Sequence, residues 1–595
     1  MTASKEALRL KQTRGAGIGL AKQIGLKNGA LTIAKTLYLS KVKGVNAGQA
    51  FFSSYWETLG NREAIICDSE TVTFAQFRDR VLRLANGLSS LGVPTGARVA
   101  ELLPNCVEWF EVNLATAMSG RTMPMLNWHL KPNEIVACIN KAEAIALVID
   151  SSYLEVVDGI KQQLETVEHI IVVGDNVPEG YISYEKLIQS SHDAIPEGSF
   201  GLSPTPYSGG TTGTPKLLNS DEVGAVLADD SDDRRRGATK DEVKALTIMQ
   251  VGAFHWFEIG DCKDPKTKNI RSLIPGPLYH AGVQIAVLPF FLGGTAVVMK
   301  KFSAEEFLKL IQNQRINWTF VAPTMLERVL ALPPEVLSKY DLSTMNSLIC
   351  AAAPCPPKVK RDINALFRQQ GNKKDVFMEY YGASETGLVS VLVPQDYQEK
   401  DVRYNSVGKT RTAQCLIYDV EKEAWAEEGK EGRVLIRSPM ALGLQYKGDK
   451  EKTEEAFRVI EGVTWYDDGL IGYIDGDDFL YLTSRAKEMI ICGGVNLFPN
   501  EIENIIKKHP SVFDVAVIRA PDEDLGEIPA AIIQLMEGQE LSSEAVLQFC
   551  KEEGLYGFKL PKIIEFKKEL PRQLSGKLIK RELEEKYWEG VESFG

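Results

Sequence analysis

The stretch Tyr207-Ser208-Gly209-Gly210-Thr211-Thr212-Gly213-Thr214-Pro215-Lys216 concentrates the residue types that hold phosphate. Glycines let backbone amides approach an anion closely, hydroxyls add donors, and Lys216 adds positive charge. A flexible Gly/Thr linker is the plain alternative for such a string. It is not a Walker A loop, because Thr214 and Pro215 separate Gly213 from Lys216. The nine cysteines (67, 106, 138, 262, 350, 355, 415, 492, 550) form no CxxC pair and no His/Cys cluster at zinc spacing. Neither a disulfide framework nor a structural zinc is expected, and a reducing, cytoplasmic setting is.

Five further segments follow in order: Pro277-Leu278-Tyr279-His280, Ala351-Ala352-Ala353-Pro354, Tyr380-Tyr381-Gly382-Ala383-Ser384-Glu385, Ser484–Glu503, and Pro571-Arg572-Gln573-Leu574-Ser575-Gly576-Lys577. Each has an ordinary reading by itself. His280 would be a packed or capping residue, the alanines a core turn, Glu385 a solvated acid and Lys577 a solvated charge. Taken together with the first loop, in this order, they resemble the acyl-adenylate-forming enzymes over about residues 50–585. That family includes acyl-CoA synthetases, firefly-type luciferases and peptide-synthetase adenylation domains. Its phosphate loop reads Ser-Gly-Thr-Thr-Gly-x-Pro-Lys, often followed by glycine; Leu217 stands there in this chain.

The resemblance implies ATP, Mg²⁺ and coenzyme A as reactants or cofactors, and it implies residue roles. Ser208, Gly209, Gly210, Thr211, Thr212, Gly213 and Lys216 would hold the phosphates. Tyr381 and Gly382 would lie along adenine, Ser384 would donate to the α-phosphate, and Glu385 with Thr211 would bind Mg²⁺. His280, Val283, Ala352 and Ala353 would line the acyl pocket. Arg485 would bind the ribose, Lys487 would be a hinge, and Gly493 and Gly494 would face CoA. Lys577 would join the substrate carboxylate to the α-phosphate, so that Lys577, Glu385 and His280 form the catalytic set. The activity implied is ATP-dependent ligation of a hydrophobic acid, medium- or long-chain fatty or similarly bulky, to CoA. Transfer to a carrier-protein thiol and a weakened nucleotide-binding homologue are the alternatives. One departure stands out. Trp465–Asp475 resembles Trp-aromatic-x-Thr-Gly-Asp-x-Gly-x-x-Asp, yet Leu470 occupies the place of the ribose-binding aspartate, and Asp468 is the expected substitute.

Such residues need a scaffold, and 595 residues are too many for one core. Helical and strand patterns alternate: Phe74–Leu91, Arg98–Leu102, Glu108–Met118, Ala144–Ile149, Ile170–Val173, then Phe302–Asn313, Trp318–Val321, Val359–Gln370 and Val376–Tyr380. This predicts an α/β fold: a large N-terminal domain of parallel-sheet α/β subdomains (residues 46–485) and a small mobile α+β C-terminal domain (486–595). Ala228–Arg236 is a charge block, read as a solvated loop. The uncharged run Ala281–Met299 is broken by Pro289 and Gly293-Gly294, so it reads as a helix and a strand, and no transmembrane helix is expected.

Net charge is −12, which argues against nucleic acid as a partner. Residues 1–45, a basic N-terminal extension, carry seven lysines and two arginines against Glu6, a net +8, which leaves −20 for the other 550 residues. Such a start could be a surface helix of no special role, a transit segment, or a peripheral contact with an anionic membrane. Apolar Leu26, Ala30, Ile33 and Leu37 keep helical spacing there, although Gly25 and Gly29 interrupt it.

Overall fold

The computed structural model describes residues 26–201, 204–208, 216–218, 235–259, 264, 266–267, 269–485, 488–492, 495–522, 524–572 and 578–589. Its centre is an eight-stranded sheet. Strands Phe377–Ala383, Ser347–Cys350, Trp318–Val321, Arg271–Ile274, Thr295–Val298 and Glu63–Cys67 run parallel in that spatial order, with antiparallel Gly387–Leu392 and Glu70–Thr73 at the two edges. Successive residues go to opposite faces. Ile65, Ile274, Val298, Ile349 and Met378 enter one core, whereas Ile66, Leu273, Val297, Leu348 and Phe377 enter another. Both faces are therefore covered, as a parallel sheet requires, and its strands are apolar runs rather than alternating ones. Strands Arg98–Leu102, Ala144–Asp150, His169–Val173 and Ile182–Ser183 make a second, all-parallel sheet.

Residues 414–485 depart from the parallel expectation. Gln414–Asp419, Gly432–Arg437, Phe457–Ile460, Val463–Ile474 and Leu480–Arg485 pair antiparallel. Tight connections make this possible. Ile460 pairs with Val463 across Glu461-Gly462, both at positive φ (52° and 76°), the two-residue turn whose twist suits a hairpin. The predicted helix and strand between residues 281 and 299 are present as Gln284–Phe291 and Thr295–Val298, with Pro289 inside the helix. Among the described residues no helix is long and apolar enough to cross a membrane. The eight described cysteines are free thiols.

The small C-terminal domain has its own core. The long hairpin Val512–Asp522/Gly526–Leu535 carries Val515, Val517 and Ile532 against Ile502 and Ile506 of helix Pro499–Ile506 and Leu583 of helix Lys580–Trp588. One ion-pair chain reaches out of it. Lys507 Nζ lies 3.0 Å from Asp514 and 3.2 Å from Glu327 on helix Pro323–Leu330 of the large domain. Arg572 Nε donates to the same Asp514 at 2.9 Å. Burial pushes the Asp514 carboxyl upward, but Lys507 and Arg572 outweigh it and hold that carboxyl below its usual range.

Candidate active site

The motifs gather at the carboxyl ends of the parallel strands, where open α/β sheets bind ligands. Arg271–Ile274 leads to Pro277–His280, Ser347–Cys350 leads to Ala351–Pro354, and Phe377–Ala383 carries Tyr380–Ala383 and leads to Ser384-Glu385. Backbone geometry explains several residue types. Ser384, Glu385 and Thr386 form the tight turn between paired Ala383 and Gly387, and the Ala383 amide donates to Thr386 Oγ1 at 3.0 Å. A Cβ on Gly382 would lie 2.1 Å from the Gly387 carbonyl oxygen, so only glycine fits. Gln250, on helix Lys240–Val251, accepts from the Leu388 amide at 3.2 Å and donates to the Leu388 carbonyl at 2.7 Å. It fixes the hairpin that presents Glu385.

Four polar side chains meet beside that turn. Tyr446 donates its hydroxyl to Glu385 Oε1 at 3.3 Å, and Tyr381 donates to Asp468 Oδ2. Burial first, then Asp468, pushes the Tyr381 phenol well above its usual range; burial and Glu385 do the same to Tyr446. Both hydroxyls therefore remain protonated donors near neutral pH. The neighbouring aspartates part company, as successive strand residues do. Asp467 accepts from Arg433 Nη2 at 2.8 Å and Arg458 Nε at 2.5 Å, while Asp468 faces Tyr381. Leu470 packs among apolar neighbours and is paired in register with Arg485.

Tyr446 also ties this cluster to the phosphate loop. Strands Tyr207–Ser208 and Lys216–Leu217 pair at the loop's base, Leu218 bridges to Tyr446, and the Lys447 amide donates to the Leu217 carbonyl at 3.0 Å. Gly209, Gly210, Thr211, Thr212 and Gly213 lie outside the described residues, as do Lys487, Gly493, Gly494 and Lys577 and the side chains of Ser208, Lys216 and Arg485. Most of the charge block at 228–236 lies outside them too. Sequence reasoning missed Gln250 and Tyr446: Gln250 stands in no glycine-rich or charged motif, and the charged run that follows Tyr446 reads as solvated surface.

A narrow space of about 10 Å³, hardly room for one water, lies beside the sheet. Gly276, His280, Val283, Phe320, Met325 and Ala352 are among its walls; Ala353 is not. His280 Nδ1 accepts from the Gly282 amide at 3.2 Å, which orients the ring. Ala352 holds φ at 74°, a left-handed conformation that alanine seldom adopts. No group of three or more His, Cys, Asp or Glu that could hold a metal occurs among the described residues. A lone carboxylate such as Glu385 fits Mg²⁺, which takes its other ligands from substrate phosphates and water.

This architecture is that of an open α/β sheet with its motif-bearing turns at the strand ends, and comparison with known proteins gives its family. The AMP-binding enzyme description matches residues 52–446, and that of the AMP-binding enzyme C-terminal domain matches residues 501–577. The chain belongs to the AMP-binding enzyme family. It is 29% identical over 528 residues to an indoleacetate–CoA ligase of Aromatoleum aromaticum, covering 87% of this chain and 94% of that protein. It is 28% identical over 539 residues to a mitochondrial medium-chain acyl-CoA ligase of Homo sapiens, covering 88% and 85%. In fold it matches an anthranilate CoA ligase in complex with anthranoyl-AMP, with a TM-score of 0.73 at 23% identity, over 89% of this chain and 95% of that one.

Proposed function

We propose that this enzyme is an acid–thiol ligase that couples ATP to a hydrophobic carboxylic acid, then passes the acyl group from acyl-AMP to coenzyme A with release of pyrophosphate and AMP. The supporting observation is the convergence of Glu385, Tyr446, Tyr381 and Asp468 at the base of the phosphate loop, next to a pocket with apolar walls. A carboxylate is already ionised near pH 7, so its attack on the α-phosphate needs charge neutralisation and positioning rather than a general base. In this reading Lys216 and the loop amides hold the phosphates, Glu385 holds Mg²⁺, and Arg485 reaches the ribose. Mg²⁺, when bound, supplies the positive charge that shields the phosphates from the incoming carboxylate. The enzyme would work in a reducing compartment, which suits its thiol co-substrate.

The acid is a fatty or aryl-substituted monocarboxylate. The relatives act on indoleacetate and on medium-chain acids, as their names state. No charged side chain stands among the pocket walls to receive a second carboxylate, apart from what His280 offers. The present space of about 10 Å³ is far below the range usual for drug-sized ligands, and Phe320 and Met325 bound it, so an acid enters only as such side chains give way. Pyrophosphate release with ATP and acids of graded length, with and without CoA, tests the proposal. Turnover that needs CoA supports it; turnover only with a carrier-protein thiol reassigns the second step, and no pyrophosphate with any acid rejects the reading. Met325→Ala should shift the preference toward longer acids. Each added methylene is expected to gain up to about fourfold in kcat/KM, the equivalent of ~0.8 kcal/mol, until the enlarged pocket is full. A preference for acetate in both forms would rule out this pocket.

Asp468 is proposed to take over the ribose contact that Leu470 cannot make. Asp468→Ala should raise the ATP KM more than tenfold, since a charge-assisted hydrogen bond contributes roughly 1.5–3 kcal/mol. Leu470→Asp should change it little, because the new carboxylate would sit within an apolar cluster. If Leu470→Asp greatly improves ATP use while Asp468→Ala is silent, the contact is simply missing and the enzyme is a weakened one.

A further inference from the structure

The N-terminal helix is docked with its polarity reversed. Helix Leu26–Leu37 continues into the π-helical turn Tyr38–Val42 and lies against helix Ala47–Leu59. An ordinary surface helix buries its apolar stripe. Here Thr32 is the buried residue, at 1% exposure, and Thr36 Oγ1 donates to the Thr32 carbonyl at 2.8 Å. Ile33 and Leu37, one turn apart, are 60% and 54% exposed, flanked by Leu31, Tyr38 and Val42 at 46%, 52% and 67%. Five large apolar side chains within twelve residues form a contiguous exposed patch, and such a patch marks a contact surface. Lys41 and Lys43 are exposed beside it, while Lys35 pairs with Glu57 at 2.9 Å.

The charge pattern chooses among occupants. The first 45 residues carry +8 in a chain whose other residues sum to −20. A second copy would bring the same positive patch, and like charges would face each other. An apolar stripe edged by lysines, with a tyrosine at its margin, is instead the composition of a helix that lies in a bilayer interface. We infer that Ala30–Lys43 seats this enzyme on an anionic lipid surface, with Ile33, Leu37 and Val42 among the acyl chains and Lys41 and Lys43 among the headgroups. This holds whichever acid the enzyme activates.

Flotation of the full chain with vesicles tests it, using phosphatidylcholine alone and phosphatidylcholine mixed with phosphatidylglycerol. The wild type should float with the mixed vesicles, much less with neutral ones, and less as salt rises. Ile33→Asp with Leu37→Asp should weaken binding by about tenfold per side chain. Lys41→Gln and Lys43→Gln should each cost about fivefold on the anionic vesicles and little on the neutral ones. These positions are exposed, so the variants should keep the wild-type melting temperature. Three results would overturn the inference: failure of the wild type to float with anionic vesicles, flotation that survives the double aspartate variant, or a wild-type dimer that this variant dissolves. The last would make the patch a contact between copies.

Discussion

Replacing Lys577 with alanine is expected to slow acyl-AMP formation by roughly 10²–10³-fold, about 3–4 kcal/mol, while thioester formation from supplied acyl-AMP stays nearly intact. The obstacle in the first step is repulsion between a carboxylate and the polyanionic phosphates, and one cation that touches both reactants relieves it. Lys577 itself lies outside the described residues, but both flanks of its segment are anchored. Arg572 bridges to Leu578, the Ile579 amide donates to the Pro571 carbonyl at 2.9 Å, Arg572 pairs with buried Asp514, and Lys580 Nζ lies 2.8 Å from Glu503. Those flanks are thus held by the small domain and move with it. Lys507–Glu327 links the small domain to the helix whose Met325 lines the space beside His280. A rotation about Lys487 would break that contact, and Lys507 would keep Asp514, 3.0 Å away in its own domain, as a partner. Substituting Gly494 with a bulky residue, or Lys487 with proline, should therefore do the reverse of Lys577→Ala, sparing adenylation and slowing thioester formation. Pyrophosphate release and thioester formation from synthetic acyl-AMP measure the two steps separately. Equal loss of both steps in both kinds of variant would refute the division of labour.

Much of this site can be read from the sequence because parallel strands announce themselves. Ala144–Ile149 and Trp318–Val321 are largely apolar runs of strand length, and the structure has strands there, Ala144–Asp150 and Trp318–Val321. The motifs follow such runs directly, so their place at strand ends is implied by local order. The antiparallel sheet at 414–485 gives no comparable signal. Val463–Ile474 has only Trp465, Tyr466 and Gly472 fully buried, and its glycines and aspartates lower its strand character. Nor can the sequence say which of Asp467 and Asp468 faces the nucleotide side. That depends on the register with Gly432–Arg437, which turns Asp467 toward Arg433. Gln250 and Tyr446 are invisible for a related reason. Their partners are 138 and 61 residues away, and only the folded sheet brings them together. At the N-terminus the stripe of Ala30, Ile33 and Leu37 reads as a face to bury, whereas the structure turns it outward. Gly29 is accommodated inside that helix, a cost of about 1 kcal/mol relative to alanine.

Glu385→Ala should reduce pyrophosphate release about 10²-fold, the scale of losing one preorganised charge contact, and Lys216→Ala should do the same. The two differ in their response to metal. Without the carboxylate, half-maximal activity should require more Mg²⁺, and excess Mg²⁺ should restore part of the rate; no such rescue is expected for Lys216→Ala. Tyr446 gives a finer test. Its backbone bridge to Leu218 survives Tyr446→Phe, so the phosphate-loop base stays in place, while the hydroxyl's hydrogen bonds to Glu385 Oε1 and to Tyr466 are lost. A hydrogen bond to a charged group contributes roughly 1.5–3 kcal/mol, and the phenol also holds the carboxylate in one orientation. The Phe variant should therefore lose about tenfold or more in kcat with the same shift toward higher Mg²⁺, and combining it with Glu385→Ala should add almost nothing. Non-additivity follows if Tyr446 acts on the phosphates through Glu385, the charged partner of its hydroxyl, rather than through Tyr466. Unchanged pyrophosphate release in both Glu385→Ala and Lys216→Ala would place the phosphates elsewhere. Full additivity of Tyr446→Phe and Glu385→Ala would mean that the tyrosine holds the loop or the nucleotide directly, rather than the carboxylate.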